Sequence, residues 1–527
     1  MAGEYRGDWV FSKIMEDRAG SFADKNFLLC QGDSYTYAEV CDRAARVAAG
    51  LATLVDDPAV PVATMLDATP THIFVWFGCA WAGVIEVPIN TEFKGTFLEH
   101  VLNETEAPVL VIEAKYLPRL KGLSLRYLRH VVVAGRPDAD SPVSLAQPQH
   151  ALPEWFTLPP APRVPRDESD LVYILYTSGT TGPSKGATHC NRSALWTARV
   201  WYEMFELQAD DVGYSFLPLF HTTARNVLVA NALIAGASVA LRERFSVREF
   251  WPDVHRYGAT YFAYMGAIIQ MLWNQEAIPG EESNPLRVGG GAAAPPAITD
   301  AFEKRFDLRL IEVYGMTEIG TASGHRINDI VRGTMGKPFD HLEIEIHDPR
   351  DNAVPAGTPG EIVVRPREPW AITQGYWKNP EATVEAWRNL WFHSGDLGKL
   401  TQDGYLIYLD RVKDSLRRRG ENISSFEVER AILAYPAVAE AAVYDVASEL
   451  TEDDVMVAVV LRPEARFDAG EFFRFCADTM PRFAIPRYVR LMAELPKTPT
   501  ARVEKYKLRD QGVTPDTVDR EKLTGAR

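Results

Sequence analysis

Apolar residues come in short blocks through the first two-thirds of the chain, and the blocks predict the elements. "HIFVWFGCAWAGVIEV", from His72, falls short of the ~20 residues a membrane span needs and carries Glu86. It predicts a core helix running into a buried strand. "LVYILYTSG" predicts a short strand entering a Gly-rich turn, and "CNRSALWTARVWYEMF" has helical spacing after it. "ASVAL", "ATYFAY", "PLRVGGG" and "LRLIEVYG" predict further buried strands separated by helix-length segments. Such alternation predicts α/β layers with a mostly parallel sheet. From His341 the rhythm changes to "LEIEIHD", "GEIVVR" and "GYLIYLDR", which predict an antiparallel or barrel-like appendage.

The last stretch predicts a compact α+β unit with "AAVYDV" and "VMVAVVL" as strands. Ser424 and Glu427 form a capping box before its first helix, and Pro436 ends that helix. "QPQHALPEWFTLPPAPRVPRDE" predicts a proline-rich loop. A boundary at Arg411 to Lys413 gives an N-terminal domain, 1–411, and a C-terminal domain, 412–527.

Composition narrows the functional classes. A chain of 527 residues exceeds the size of one hydrophobic core. The net charge of −15 argues against a nucleic-acid surface or an anionic-membrane binder, so a phosphate ligand must meet local positive charge. Cys30, Cys41, Cys79, Cys190 and Cys476 show no metal spacing and suit reduced thiols. The opening residues show no signal peptide. A soluble cytoplasmic protein is expected, with no integral membrane contact; a homo-oligomeric state is left open.

"YTSGTTGPSKG", Tyr176 to Gly186, fails the spacing of a nucleotide P-loop because Lys185 sits between Ser184 and Gly186. It still offers hydroxyls at Thr177, Ser178, Thr180, Thr181 and Ser184, amides freed by Gly179, Gly182 and Gly186, and one ammonium at Lys185. Amides and hydroxyls around a tight turn make an anion nest. "GGGAAA" has a rival reading: Gly289, Gly291 and Ala294 fit G-x-G-x-x-A after a strand, with Glu312 about twenty residues on. Pro295 and Pro296 follow at once and argue against a dinucleotide turn.

The phosphate-loop segment resembles that of the adenylate-forming superfamily of acyl-CoA synthetases, luciferases and peptide-synthetase adenylation domains. Other motifs of that family follow in order: "PLFH" at Pro218–His221, "GGGAAAP" at Gly289–Pro295, "YGMTE" at Tyr314–Glu318 and "HSGDLG" at His393–Gly398. "DRVKD" at Asp410–Asp414, "RRGENI" at Arg418–Ile423 and "LPKTPTARVEK" at Leu495–Lys505 complete the set. "FSVREFW", "GEFFRFC" and "RFAIPRYV" look most like the crotonobetaine/carnitine-CoA ligase branch.

The resemblance implies a large N-terminal domain of layered α/β sheets plus a small β-barrel, with a mobile α+β C-terminal domain swinging about Lys413. It implies an acyl-CoA synthetase using ATP, Mg²⁺ and coenzyme A on a small carboxylate, by way of an acyl-adenylate. Thr317 would meet the α-phosphate and Glu318 the metal, with Thr177 beside it. Gly290, Gly291 and Ala292, with Tyr314, Gly315 and Met316, would line the nucleotide. Asp396 would hold the ribose and Arg411 the ribose or phosphates; Lys413, Gly420 and Glu421 would lie along the CoA path. His221 replaces the aspartate of amino-acid-activating domains, so an α-amino acid substrate is not expected. One position departs from the family: Ala501 and Arg502 stand where it has Gly-Lys. Arg502, Lys505 or Lys497 can supply the missing charge. The competing class is a catalytically impaired acyl or nucleotide binder; an NAD(P)-dependent oxidoreductase is the other.

Overall fold

Pro70 opens the helix Pro70–Ala82 in its first turn, and Gly83 closes it in the left-handed region at φ 73°. His72 to Ala82 are all buried, so no polar face interrupts the run. The chain then enters strand Ile85–Pro88, buried at every residue. The computed structural model describes residues 7–136, 145–177, 184–277, 279–411, 416–418, 421–423, 425–447, 453–480, 484–498 and 503–524.

By packing, the chain divides into two compact units, Met1–Glu343 with Val364–Leu390, and Ile344–Val363 with Trp391–Arg527. The first unit contains two seven-stranded sheets. In one, the strands Arg309–Glu312, Val288–Ala292, Tyr261–Met265, Val212–Ser215, Ser238–Leu241 and Asn26–Cys30 run parallel, and Asp33–Thr36 closes the edge antiparallel. In the other, Gln149–Ala151, His130–Ala134, Val109–Glu113, Pro61–Met65, Ile85–Pro88 and Leu171–Thr177 run parallel. Its antiparallel edge is Lys185–Cys190. A buried core reaching from Phe27 and Val62 to Trp201 and Ile311 draws on both sheets.

The α/β expectation holds, with two sheets where the pattern suggested one. Two local expectations are corrected. The Gly-rich turn joins two antiparallel strands rather than a strand and a helix, because Lys185–Cys190 pairs back on Leu171–Thr177 before helix Asn191–Met204 starts. The proline-rich segment contains strand Gln149–Ala151, which pairs with His130–Ala134, and the short helix Leu152–Trp155. Pro153 lies in that helix's first turn, where proline is tolerated.

In the second unit, Trp391–Leu400 pairs antiparallel with Leu406–Arg411, in keeping with the alternating pattern there. A four-stranded sheet follows, ordered Val438–Ala447, Asp453–Leu461, Tyr488–Leu491 and Val518–Asp519. Its helices among the described residues are Ser425–Leu433, Ala469–Thr479, Lys505–Gln511 and the short Arg520–Thr524. Ser424 of the expected capping box lies outside the described residues, as does the hinge position Lys413. Among the described residues no helix is long and apolar enough to cross a membrane.

Candidate active site

The hairpin that carries Lys185 is held in register by its strands: Thr177 faces Lys185 and Tyr176 faces Gly186. The Thr177 hydroxyl donates to the Lys185 carbonyl at 3.4 Å. Ser178, Gly179, Thr180, Thr181 and Gly182 lie outside the described residues. Lys185 holds its ammonium 5.1 Å from the centre of the Tyr376 ring.

Tyr376 was not singled out by its sequence pattern, yet its segment joins two of the motifs. Trp377 N–H donates to the Gly186 carbonyl at 2.7 Å, and Thr188 donates to the Gly375 carbonyl through both its N–H and its hydroxyl. On the other side, Thr373 N–H donates to the Glu318 carbonyl, and the Tyr376 hydroxyl donates to Glu318 Oε1, both at 2.8 Å. One strip of backbone thus ties the Lys185 hairpin to the "YGMTE" turn.

That turn joins strands Tyr314–Met316 and Gly320–Gly324. Glu318 and Tyr314 are buried, Thr317 is half-buried and Gly315 is exposed. Val313 N–H donates to the Gly291 carbonyl, which sets the turn beside the triple glycine. A Cβ at Gly290 would lie 2.2 Å from the Trp201 ring, and one at Gly291 would lie 2.0 Å from the Tyr264 carbonyl oxygen. Packing therefore requires these glycines. Glu312 accepts the Ala294 N–H at 3.0 Å, a local cap where the dinucleotide reading needs a ribose ligand.

His221 ends the segment after strand Val212–Ser215, and its N–H donates to the Pro218 carbonyl. Its Nε2 is buried with no hydrogen-bond partner, and burial pushes the imidazole pKa down to about 4. It is neutral at physiological pH and cannot make the fixed ion pair an ammonium substrate needs. Tyr264 is fully buried and donates to the Ile311 carbonyl, so its hydroxyl faces the core.

Burial also pushes His189 and His341 down to about 4. The folded protein then binds these protons more weakly than the unfolded chain, so stability falls as pH drops from about 6.5 toward 4. Melting curves across that range should show a declining Tm, and His221→Asn should flatten part of the decline.

In the second unit Asp396 is buried, and its backbone is paired with that of Arg411. Glu421 lies on strand Glu421–Ile423, opposite Arg418. Lys505 forms an ion pair with Glu429 at 2.8 Å and donates to the Ser425 hydroxyl. Lys497 forms one with Glu440. Gly420 and Arg502 lie outside the described residues.

A family model for AMP-binding enzymes matches residues 15–377, and one for the AMP-binding enzyme C-terminal domain matches residues 427–502. The chain belongs to the AMP-binding enzymes. It is similar to the crotonobetaine/carnitine–CoA ligases of Salmonella typhimurium and Salmonella typhi. Each is 31% identical over 94% of this chain and 98% of the relative. Among solved structures, it resembles the anthranilate CoA ligase AuaEII in complex with anthranoyl-AMP. The TM-score is 0.86 at 25% identity, covering 100% of this chain and 99% of that one. ATP-bound MatB from Rhodopseudomonas palustris gives a TM-score of 0.87 at 25% identity, covering 96% and 99%. This AMP-binding enzyme is an ATP-dependent acyl-CoA ligase that works through an acyl-adenylate. The oxidoreductase reading falls with that assignment.

Proposed function

We propose that the Lys185 hairpin and the "YGMTE" turn together hold the phosphates of Mg·ATP, and that a small carboxylate other than an α-amino acid enters beside His221. The observation that carries this reading is the Thr373–Trp377 strip, which fixes Lys185 and Glu318 relative to each other through hydrogen bonds on both sides. Glu318 offers one buried carboxylate, oriented by Tyr376. A hard cation bridging phosphate oxygens needs one or two carboxylates and otherwise takes water, so the donor set fits Mg²⁺. Bound there, Mg²⁺ would offset the negative charge that builds on the departing pyrophosphate.

In this reading Lys185 and the loop amides hold the β- and γ-phosphates, and Thr317 orients the α-phosphate. A carboxylate oxygen attacks the α-phosphorus and the bond to the β-phosphate oxygen breaks, releasing pyrophosphate. The CoA thiol then attacks the acyl carbon and AMP leaves, while the C-terminal domain turns about Lys413 between the two steps. Positioning and charge neutralisation carry most of the rate. A cytoplasmic setting and free CoA as acceptor belong to the same reading; all five thiols stand unpaired, which suits a reducing compartment.

Pyrophosphate release and mass-spectrometric detection of CoA thioesters test this across a carboxylate panel. Crotonobetaine, carnitine, straight-chain and aromatic acids should be included, with α-amino acids as controls. At least one carboxylate should give both products and the amino acids neither. ATP binding without pyrophosphate release from any acid would establish an impaired binder instead.

A further inference from the structure

The apolar block that begins at His72 ends on a charge, and the fold answers it with another. Glu86, in strand Ile85–Pro88, and Arg225, in the π-helical run Thr223–Ala230, are both 0% exposed. The guanidinium reaches Glu86 through Nη2 and, at 3.4 Å, through Nη1. The Thr64 hydroxyl donates to Glu86 Oε1 at 2.9 Å, and His72 Nε2 stands 3.6 Å from the same oxygen. Arg225 also lies over the Trp76 ring at 3.9 Å. Burial would raise the Glu86 pKa, but Arg225 and His72 outweigh it and keep the carboxyl well below the usual range.

Stability is a poor reason to keep such a pair, since apolar replacements of similar volume are often neutral or better. Its other contacts point elsewhere. Arg225 Nη1 donates to the Leu219 carbonyl at 3.1 Å, and Arg225 N–H donates to the His221 carbonyl at 3.4 Å. Leu219 and His221 both belong to "PLFH". The π-helical run starts two residues after His221, and π geometry is common at functional sites. The Arg225 side chain thus ties the segment carrying His221, at the Leu219 carbonyl, to a strand of the other sheet.

We propose that Glu86 and Arg225 are positioning residues that fix the Pro218–His221 segment and so decide which carboxylates the enzyme accepts. This rests on His221 standing at the acyl entrance. Neither residue touches substrate; both act through His221.

Arg225→Lys keeps a cation for Glu86 but gives up the planar fork that reaches Leu219 as well. Glu86→Gln/Arg225→Met removes both charges at similar volume. With butyrate and benzoate as probes, each variant should shift the ratio of the two kcat/KM values by about tenfold, with KM for ATP within about twofold of wild type. Adding Arg225→Lys to His221→Ala should shift the ratio no further. If both variants fold and keep the wild-type ratio while His221→Ala changes it, the positioning role is wrong and the entrance assignment stands. If His221→Ala leaves the ratio unchanged, the entrance assignment fails and takes the positioning role with it. Should the double variant not fold, Arg225→Lys alone decides.

Discussion

Arg502→Ala should cut acyl-adenylate formation by ~10² to ~10³, as for one lost transition-state donor, and should barely change thioester formation from presynthesised acyl-adenylate. The resemblance places a lysine here that bridges the substrate carboxylate and the α-phosphate during adenylation. The two lysines of the same motif, Lys497 and Lys505, are both engaged within their own unit. Lys505 is paired with Glu429, a carboxyl whose pKa burial raises and Lys505 pulls back, and Lys497 is paired with Glu440. Withdrawing Lys505 would leave the largely enclosed Glu429 carboxylate without its cation, held among the described residues only by the Val443 N–H. Lys505→Ala should therefore act first on stability, lowering Tm, with a smaller effect on adenylation than Arg502→Ala. A wide planar guanidinium is not a compact ammonium, so Arg502→Lys should change the rate measurably rather than leave it as it was. Normal adenylation by Arg502→Ala, together with its loss in folded Lys505→Ala, would move the role to Lys505. Pyrophosphate exchange and single-turnover thioesterification separate the two half-reactions.

Glu318→Gln should cost about 2–4 kcal/mol in Mg²⁺-dependent pyrophosphate release, a factor of ~30 to ~10³, with the fold intact. The amide fills the same space and can still accept the Tyr376 hydroxyl, so the strip that joins the two motifs should survive. What is lost is the charge that a hard cation needs. Tyr376→Phe makes the complementary test: it leaves the carboxylate and removes only its orientation, so it should raise the Mg²⁺ concentration for half-maximal rate with a smaller change in kcat. An active Glu318→Gln enzyme with ordinary Mg²⁺ dependence would end the metal assignment.

What could be read from the sequence was what neighbours along the chain decide. The helix from Pro70 and the strands Ile85–Pro88, Val288–Ala292 and Arg309–Glu312 follow from mainly apolar runs between turn residues, whereas "LRLIEVYG" divides after Glu312 and Tyr314–Met316 pairs in a separate antiparallel sheet. Lys185–Cys190 was missed because "KGATHC" has no apolar run; pairing with Leu171–Thr177 and burial beneath later packing make it a strand. Propensity along a polar stretch cannot anticipate that. The Tyr376 contact to Glu318 and the Arg225 contact to Glu86 link residues 58 and 139 positions apart. Glu86 could be noticed as a charge out of place, but nothing in the sequence pattern names the residue that answers it.

The Glu86–Arg225 pair also limits how such a chain can be recombined. A crossover placed anywhere between positions 86 and 225 would take the carboxylate from one parent and the guanidinium from the other, and would strand a buried charge wherever the parents differ. A viable hybrid would have to inherit both positions from one parent, along with Thr64 and His72 beside the carboxylate. The two sheets are therefore not interchangeable parts: a strand of one carries the carboxylate, and the π-helical run that follows strand Val212–Ser215 of the other carries the guanidinium that must answer it.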